Sequence, residues 1–498
     1  MNLLFRTDAS IAMGTGHVMR CLALAQAWKD AGGHAVFALA ESPPAIRQRL
    51  SSESCEAVSL LSSAGTTEDS RETIALARER SADWIVVDGY QFNAEYQGSL
   101  KAAGFKIVAV DDYAHAGHYS ADLVLNQNLC ASQEPYADRE PHTQLLLGPR
   151  YCLLRREFLA WRDWKREMSP TRRRVLVTLG GSDPGNLTAG VLEALELVRA
   201  ECEAIVVVGG SNPHFNLLET FPQRSGKKVS VRRDVTNMAE LMGWADVAVS
   251  AAGSTCWELC LLALPSILVD VADNQTAVAR ELGRRGCAIH LGGSLDFSAG
   301  RLAEELDRLL GSGEIWKSIS LRSRELVDGN GAARVLSAMR GRLHLRTAQE
   351  SDCPLLWEWA NDPQVRAAAF SSGAISWEQH KVWFASKMKD PNCRILVAED
   401  DEGTPVGQFR VDWRSEQEGD VDVSVSGKFR GTGYGRLLVE LGANRALAEK
   451  GKRLHAFVKL ENQPSRRAFE SAGFTSLGEA TVQGQRAVHY VRQAVRSE

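Results

Sequence analysis

Residues 6–20, Arg6-Thr-Asp-Ala-Ser-Ile-Ala-Met-Gly-Thr-Gly-His-Val-Met-Arg20, decide how this chain reads. Ahead of them Asn2-Leu-Leu-Phe5 is a short apolar run that predicts a strand. Behind them Cys21 to Trp28 has the composition and apolar spacing of a helix. A strand enters, a glycine loop turns and a helix leaves, with His17 where the helix begins. Free N–H groups and the positive end of the helix dipole suit a phosphate at such a point. The same field disfavours protonation of His17, leaving a neutral imidazole able to act as a base near neutral pH. A Gly-x-Gly alone is a common turn. Arg6, Asp8, Gly14, Gly16, His17 and Arg20 gathered in one junction point to a site.

Outward from this junction, strands and helices alternate. Ala35–Leu39, Asp83–Val87, Lys106–Val110 and Leu123–Leu125 are apolar runs bounded by helical or polar stretches. Such runs predict a parallel sheet covered on both faces, whose ligands bind at the carboxyl ends of the strands. Asp88, Tyr90, Asp112 and Asn126 stand at those ends. A second alternating unit opens at Arg174-Val-Leu-Val-Thr-Leu179 and again runs strand, glycine loop, helix. Around residues 341–346 the pattern changes to tryptophan-rich helices and alternating strands of antiparallel type. The expected organisation is an α/β chain with two Rossmann-like lobes over 1–155 and 156–341, then a mixed α/β domain over 342–498.

At 498 residues the chain exceeds one core. A net charge of −4 gives no overall pull toward nucleic acid or anionic membrane. No apolar run approaches the ~20 residues of a membrane span. The N-terminus lacks the basic and apolar regions of a signal peptide. Ten scattered cysteines without metal spacing read as reduced thiols, and a cytoplasmic location is expected.

In the second lobe three loops could face one cleft. Gly180, Gly181 and Ser182 offer small residues and free N–H groups, a nest for an oxyanion. Gly253, Ser254 and Thr255 precede a helix and form a phosphate-type N-terminus. Glu258, on that helix's first turn, could accept both hydroxyls of a ribose. Asp273, Asn274 and Gln275 could reach a sugar. The run Ser250-Ala-Ala-Gly-Ser-Thr-Cys-Trp-Glu258, with Leu264-Pro265 and Asp273-Asn-Gln275, resembles the UDP-sugar signature of the MurG-type two-lobed (GT-B) glycosyltransferases. Gly14-x-Gly-His17-x-x-Arg20-Cys21, Asp88-Gly-Tyr90, Asp111-Asp-Tyr113, Asn126-Gln-Asn128 and Thr178-Leu-Gly-Gly-Ser-Asp183 narrow it. They resemble the UDP-sugar hydrolases of the pseudaminic acid pathway. These release UDP from UDP-2,4-diacetamido-2,4,6-trideoxy-β-L-altropyranose, with water as the acceptor. The resemblance implies His17 as general base, Tyr90 and Asn274 as sugar contacts, inversion at C1 and no metal or other cofactor for hydrolysis.

In the last 155 residues a strand from Asp420 to Val425 is followed by Arg430-Gly-Thr-Gly-Tyr-Gly435 and a helix. Successive N–H groups in such a loop suit a pyrophosphate. With Asn462-x-x-Ser465 and Gly473-Phe474, this resembles the GCN5-related (GNAT) acetyltransferases. The resemblance implies that Arg430, Gly431, Gly433, Tyr434 and Gly435 hold the pyrophosphate of acetyl-CoA, the cosubstrate. Asn462 and Ser465 would lie along the pantetheine arm, and the backbone of Val423 and Val425 would pair with it. The position that supplies a proton-donating tyrosine in many members is Phe469 here, which leaves the general acid open between Ser465, another tyrosine and water. Leu343-x-x-Arg346, Trp357-x-Trp359 and Ile375-Ser376 resemble amino-sugar acetyltransferases. Together the parts imply 4-N-acetylation of a UDP-4-amino sugar followed by loss of UDP, with small-molecule UDP sugars and acetyl-CoA as the partners and no nucleic acid. A true glycosyltransferase fused to an acetyltransferase, or one domain reduced to a binding module, are the alternatives.

Overall fold

The computed structural model describes residues 2–10, 13–171, 173–181, 183, 185–210, 212–223, 225–233, 235–293, 297–340, 343–400, 403–430 and 434–494, apart from the side chains of Asp273 and Arg340. The chain forms two units, Met1–Leu336 and Ser337–Glu498. Of the residues singled out above, Ser182, Gly431 and Gly433 lie outside the described residues.

The first unit holds two parallel sheets. One comprises β1 (Asn2–Thr7), β2 (His34–Leu39), β3 (Glu56–Ser59), β4 (Ala82–Asp88), β5 (Lys106–Val110), β6 (Leu123–Asn126) and β7 (Gln144–Leu147), ordered β3-β2-β1-β4-β5-β6-β7. The other comprises β8 (Arg174–Thr178), β9 (Glu203–Val208), β10 (Lys228–Arg233), β11 (Val247–Ala251), β12 (Ser266–Asp270) and β13 (Ile289–Gly293), ordered β10-β9-β8-β11-β12-β13. Both are doubly wound. Val175 and Val177 of β8 pack into the core on one face and Leu176 into that on the other. This is why the central strands read as unbroken apolar runs. The strands that the apolar pattern did not single out, β3, β7 and β13, are the outermost ones. An edge strand buries little, so its sequence carries little signal. The helical stretch 299–340 is three helices, Ala299–Gly311, Gly313–Arg324 and Gly331–Arg340. Ser312 separates the first two by capping the second, its hydroxyl accepting from the Ile315 N–H at 3.3 Å.

The second unit is a mixed seven-stranded sheet of β14 (His344–Thr347), β15 (Cys393–Glu399), β16 (Pro405–Trp413), β17 (Glu418–Val425), β18 (Arg453–Lys459), β19 (Thr475–Val482) and β20 (Gln485–Gln493). Its order is β14-β15-β16-β17-β18-β20-β19. Every neighbouring pair is antiparallel except β17 and β18, which run parallel and pair only at Glu418–Arg453, Gly419–Leu454 and Asp420–His455. Beyond Asp420 the two strands are not paired, while β17 stays paired to β16 as far as Val425. Val421, Val423 and Val425 pack against the core that contains Leu438, Ala456 and Phe469. The alternation of a strand sends Asp420 and Asp422 of β17, and His455 and Lys459 of β18, to the opposite face.

Candidate active site

In each parallel sheet the strand order reverses beside the first strand, between β1 and β4 and between β8 and β11. Ligands of doubly wound sheets bind outside the carboxyl ends of the strands at such points. Four loops emerge there. The loops after β1 and β4 carry His17 and Tyr90. Those after β8 and β11 carry Gly180–Gly181 and Gly253–Thr255.

His17 is the second residue of the helix Gly16–Asp30 and is 9% exposed. Its Nδ1 is buried with no hydrogen-bond partner among the described residues. Burial holds its pKa below the ordinary histidine value, against the opposing pull of Asp88. The Tyr90 ring stands edge-on to it, with centroids 5.1 Å apart. The Tyr90 hydroxyl donates to Asp112 Oδ2 at 2.9 Å and accepts from Asn274 Nδ2 at 2.7 Å, so a hydrogen bond joins the two sheets' loops. Burial and then Asp112 raise the phenol's pKa, keeping it protonated. Asp112 is half-buried; burial pushes its pKa up, yet Arg20, His17 and Tyr90 together hold it well below the usual carboxylate range. Arg20 binds both Asp112 (2.9 Å) and the fully buried Asp88 (2.7 Å). A cleft of about 820 Å³ opens here, walled by Tyr90, Asp112, Asn126 and Asn128 from one side and by Asn274 and Gln275 from the other.

The glycines act by permitting approach. Gly14 has φ +79°, the left-handed region. A Cβ on Gly181 would stand 2.7 Å from Thr15 Oγ1, so residue 181 must be bare for the β8 loop to meet the helix bearing His17. Gly16 lies opposite Ser254, whose Oγ is 3.9 Å from where its Cβ would be. The N–H groups of Gly253, Ser254 and Thr255 have no partner among the described residues and remain available to an anion. Gly180, with φ +90°, is exposed in the loop after β8.

Two expectations need correction. Arg6 and Asp8, read as substrate contacts, are 0% and 1% exposed. Arg6 binds Asp69 at 2.8 Å and Asp8 at 2.7 Å, and Asp8 also accepts from the N–H groups of Ala40 and Glu41. They brace the loop after β1 from within, because a buried charge is tolerated only when paired. Glu258, read as an open ribose acceptor, is held through Oε1 by Arg155 at 2.8 Å. Burial raises its pKa and Arg155 opposes the rise. Only Oε2 is left without a hydrogen-bond partner among the described residues. Asp88 and Asp112 also separate, since Asp88 is buried against Arg20 while Asp112 lines the cleft. Ser132 and Cys130 of the cleft wall were not read from the sequence, although the polar run at the end of β6 was the available signal. His115, edge-on to Tyr90 at 5.6 Å, had no such signal.

In the second unit, Val423 and Val425 are not paired with β18. Arg430 donates from Nε to the Val425 carbonyl (2.9 Å) and from Nη1 to Asp362 (2.8 Å), while Nη2 is buried without a partner among the described residues. Tyr434 and Gly435 open the helix Tyr434–Glu449. Asn462 caps the helix Gln463–Ser471, its Oδ1 accepting from the Ser465 N–H at 3.2 Å. Phe469 is buried, edge-on to Phe474 at 5.0 Å. The Tyr490 hydroxyl is taken by Glu470 at 2.6 Å in a residue that is 0% exposed.

Two family models match the chain: the glycosyltransferase family 28 C-terminal domain over residues 175–315, and a GNAT acetyltransferase domain over 342–475. A UDP-N-acetylglucosamine–N-acetylmuramyl-(pentapeptide) pyrophosphoryl-undecaprenol N-acetylglucosamine transferase of Stutzerimonas stutzeri is 30% identical over 48% of this chain and 67% of its own. The chain therefore belongs, through its first unit, to the MurG-like GT-B family, and it carries a GNAT acetyltransferase domain fused behind that unit. More particularly, the UDP-2,4-diacetamido-2,4,6-trideoxy-β-L-altropyranose hydrolase of Campylobacter jejuni is 27% identical over 57% of this chain and 97% of its own. An uncharacterised protein of Methanocaldococcus jannaschii is 23% identical over 95% of this chain and 96% of its own, so the two-unit arrangement recurs. Among the described residues no helix is long and apolar enough to cross a membrane.

Proposed function

We propose that the chain is a bifunctional enzyme acting on UDP-amino sugars of pseudaminic acid synthesis. The second unit transfers acetyl from acetyl-CoA to the 4-amino group of UDP-4-amino-4,6-dideoxy-N-acetyl-β-L-altrosamine. The first unit then releases UDP from the product, UDP-2,4-diacetamido-2,4,6-trideoxy-β-L-altropyranose. The observation that carries the reading is His17: a buried imidazole with an unpartnered Nδ1, held beside Tyr90 where loops of both sheets meet. Its neutral form takes a proton from water as the water oxygen attacks C1. The C1–O bond to UDP breaks, and water arriving opposite UDP inverts C1. The free N–H groups of Gly253–Thr255 and the nest around Gly180 and Gly181 stabilise the charge on the departing diphosphate. Glu258 Oε2 accepts from the ribose, and Tyr90 and Asn274 hold the sugar. No metal or other cofactor enters this step.

For the second unit, the support is that Val423 and Val425 are not paired with β18: a pantetheine arm supplies the missing strand. Arg430 and the loop to Gly435 take the pyrophosphate, and Asn462 and Ser465 flank the arm. Phe469 and the fully buried Tyr490 leave Ser465 or water to protonate the thiolate.

The test is one incubation in ¹⁸O-water with acetyl-CoA and the UDP-4-amino sugar, read by mass spectrometry. Label on C1 of a sugar that has gained acetyl supports the reading. UDP release that requires an added sugar acceptor overturns the hydrolase half and favours the glycosyltransferase reading, which the relative from S. stutzeri keeps in play.

A further inference from the structure

The second unit contains a pair of histidines that the account above does not use. His455 of β18 and His489 of β20 are joined ring to ring, with Nδ1 of His455 and Nε2 of His489 2.9 Å apart. His455 is 8% exposed, and its Nε2 is buried with no hydrogen-bond partner among the described residues. The Phe457 ring stacks on His489 at 4.4 Å and fixes its plane. In a neutral pair one ring donates its N–H to the other. Where His455 donates through Nδ1, its Nε2 is a bare lone pair. An unmatched polar atom in a buried pair implies a missing partner.

The location indicates what that partner is. Asp420–His455 is the last bridge before β17 and β18 part. A diphosphate at the loop after β17 sends its arm back along Val425 and Val423 toward that point. The reactive end of the arm therefore arrives where the strands part, beside His455. His455 shares the sheet face of Asp420 and Asp422, opposite the face covered by the helix Tyr434–Glu449. An acceptor approaching from this polar face meets the thioester and the imidazole together.

We propose that His455 is the proton acceptor of acetyl transfer and that His489 is its positioning residue, an assignment that rests on the acetyltransferase reading of this unit. The amine nitrogen forms a bond to the thioester carbonyl carbon and the C–S bond breaks. The proton lost by the nitrogen passes to His455 Nε2, and the CoA thiolate takes its proton from solvent. Burial, then His455, lowers the pKa of His489, so the ring stays neutral and able to accept from His455. The charged groups around the pair are Glu418, whose Oε2 is 3.8 Å from His455 Nε2, Arg453, which binds Glu418 at 3.2 Å, and Asp420 and Arg414, which pair with each other.

The experiment uses the full chain with acetyl-CoA and UDP-4-amino-4,6-dideoxy-N-acetyl-β-L-altrosamine, reading thiol release against pH and acetyl-CoA binding by calorimetry. A base must be neutral to accept a proton, so wild-type kcat rises with pH through an acid limb and levels off. His455→Gln lowers kcat by about 100-fold or more, removes that limb and leaves acetyl-CoA binding unchanged. His489→Leu lowers kcat by about tenfold, and His489→Gln, which keeps an acceptor for the Nδ1 proton, restores most of it. A His455→Gln enzyme with wild-type kcat and pH profile overturns the proposal, as does a wild-type profile without the limb. If His455→Gln loses its thermal transition, equal rates for the two His489 variants overturn it. A wild-type chain that neither binds acetyl-CoA nor releases thiol removes the acetyltransferase reading itself and this assignment with it. Turnover that is indifferent to both histidines removes the assignment alone.

Discussion

The two parallel sheets of the first unit have the same strand order around their switch points, yet those points are furnished differently. Beside β1 and β4 stand ionisable and aromatic side chains already bound to one another: Arg20 to Asp88 and Asp112, Asp112 to Tyr90. Beside β8 and β11 stand Gly180, Gly181, Gly253, Ser254 and Thr255, which offer backbone N–H groups and little else. A topology locates a cleft but does not choose its chemistry. Side chains held in fixed relation suit proton transfer, because a base must keep its pKa and direction. Bare backbone suits a diphosphate, which needs many donors and close approach.

The comparison is broken most severely at His17. His17→Ala is expected to lower kcat for UDP release by about 10²–10⁴-fold while acetylation is untouched, as read by separate UDP and thiol assays. Because burial depresses the pKa of His17, the neutral base persists below the ordinary histidine value. The acid limb of wild-type hydrolysis is therefore expected below pH ~6.5, with a plateau above it. A limb above that value contradicts the assignment. The next effect concerns stability. Arg6→Met leaves Asp8 and Asp69 buried without their cation and is expected to cost about 3–5 kcal/mol in denaturant unfolding of the first unit. A loss confined to substrate KM would instead return Arg6 to the site. Tyr90→Phe deletes the link between Asp112 and Asn274 and is expected to lower kcat/KM about tenfold, near 1.4 kcal/mol. The smallest effect is at the second switch point. Glu258→Gln keeps the side chain's shape but weakens both the Oε2 acceptor and the ion pair to Arg155, so UDP affinity by calorimetry is expected to fall a few-fold.

Much of this was legible in the sequence, and the reasons are local. The central strands read correctly because burial on both faces leaves no polar residue to confuse them. The strand–loop–helix at 2–30 read correctly because glycine and a helix start are punctuation. Arg6 and Asp8 misled because a charged residue in a motif looks the same whether it faces ligand or core. Only the position of Asp69, on the helix Thr67–Glu79, separates the two cases. At Glu258 the sequence hid only the ion pair, its partner Arg155 being 103 residues away. The histidine pair at 455 and 489 was out of reach, because the register that joins β18 to β20 is a property of the folded sheet.

The three-residue seam between β17 and β18 has a thermodynamic consequence. A sheet whose halves are joined so sparingly is completed by whatever occupies the gap, so the cosubstrate is linked to folding of the second unit. Acetyl-CoA at one hundred times its dissociation constant is expected to add about 2.7 kcal/mol to unfolding of that unit. Amide protons of Val423 and Val425 are expected to exchange more slowly when it is bound.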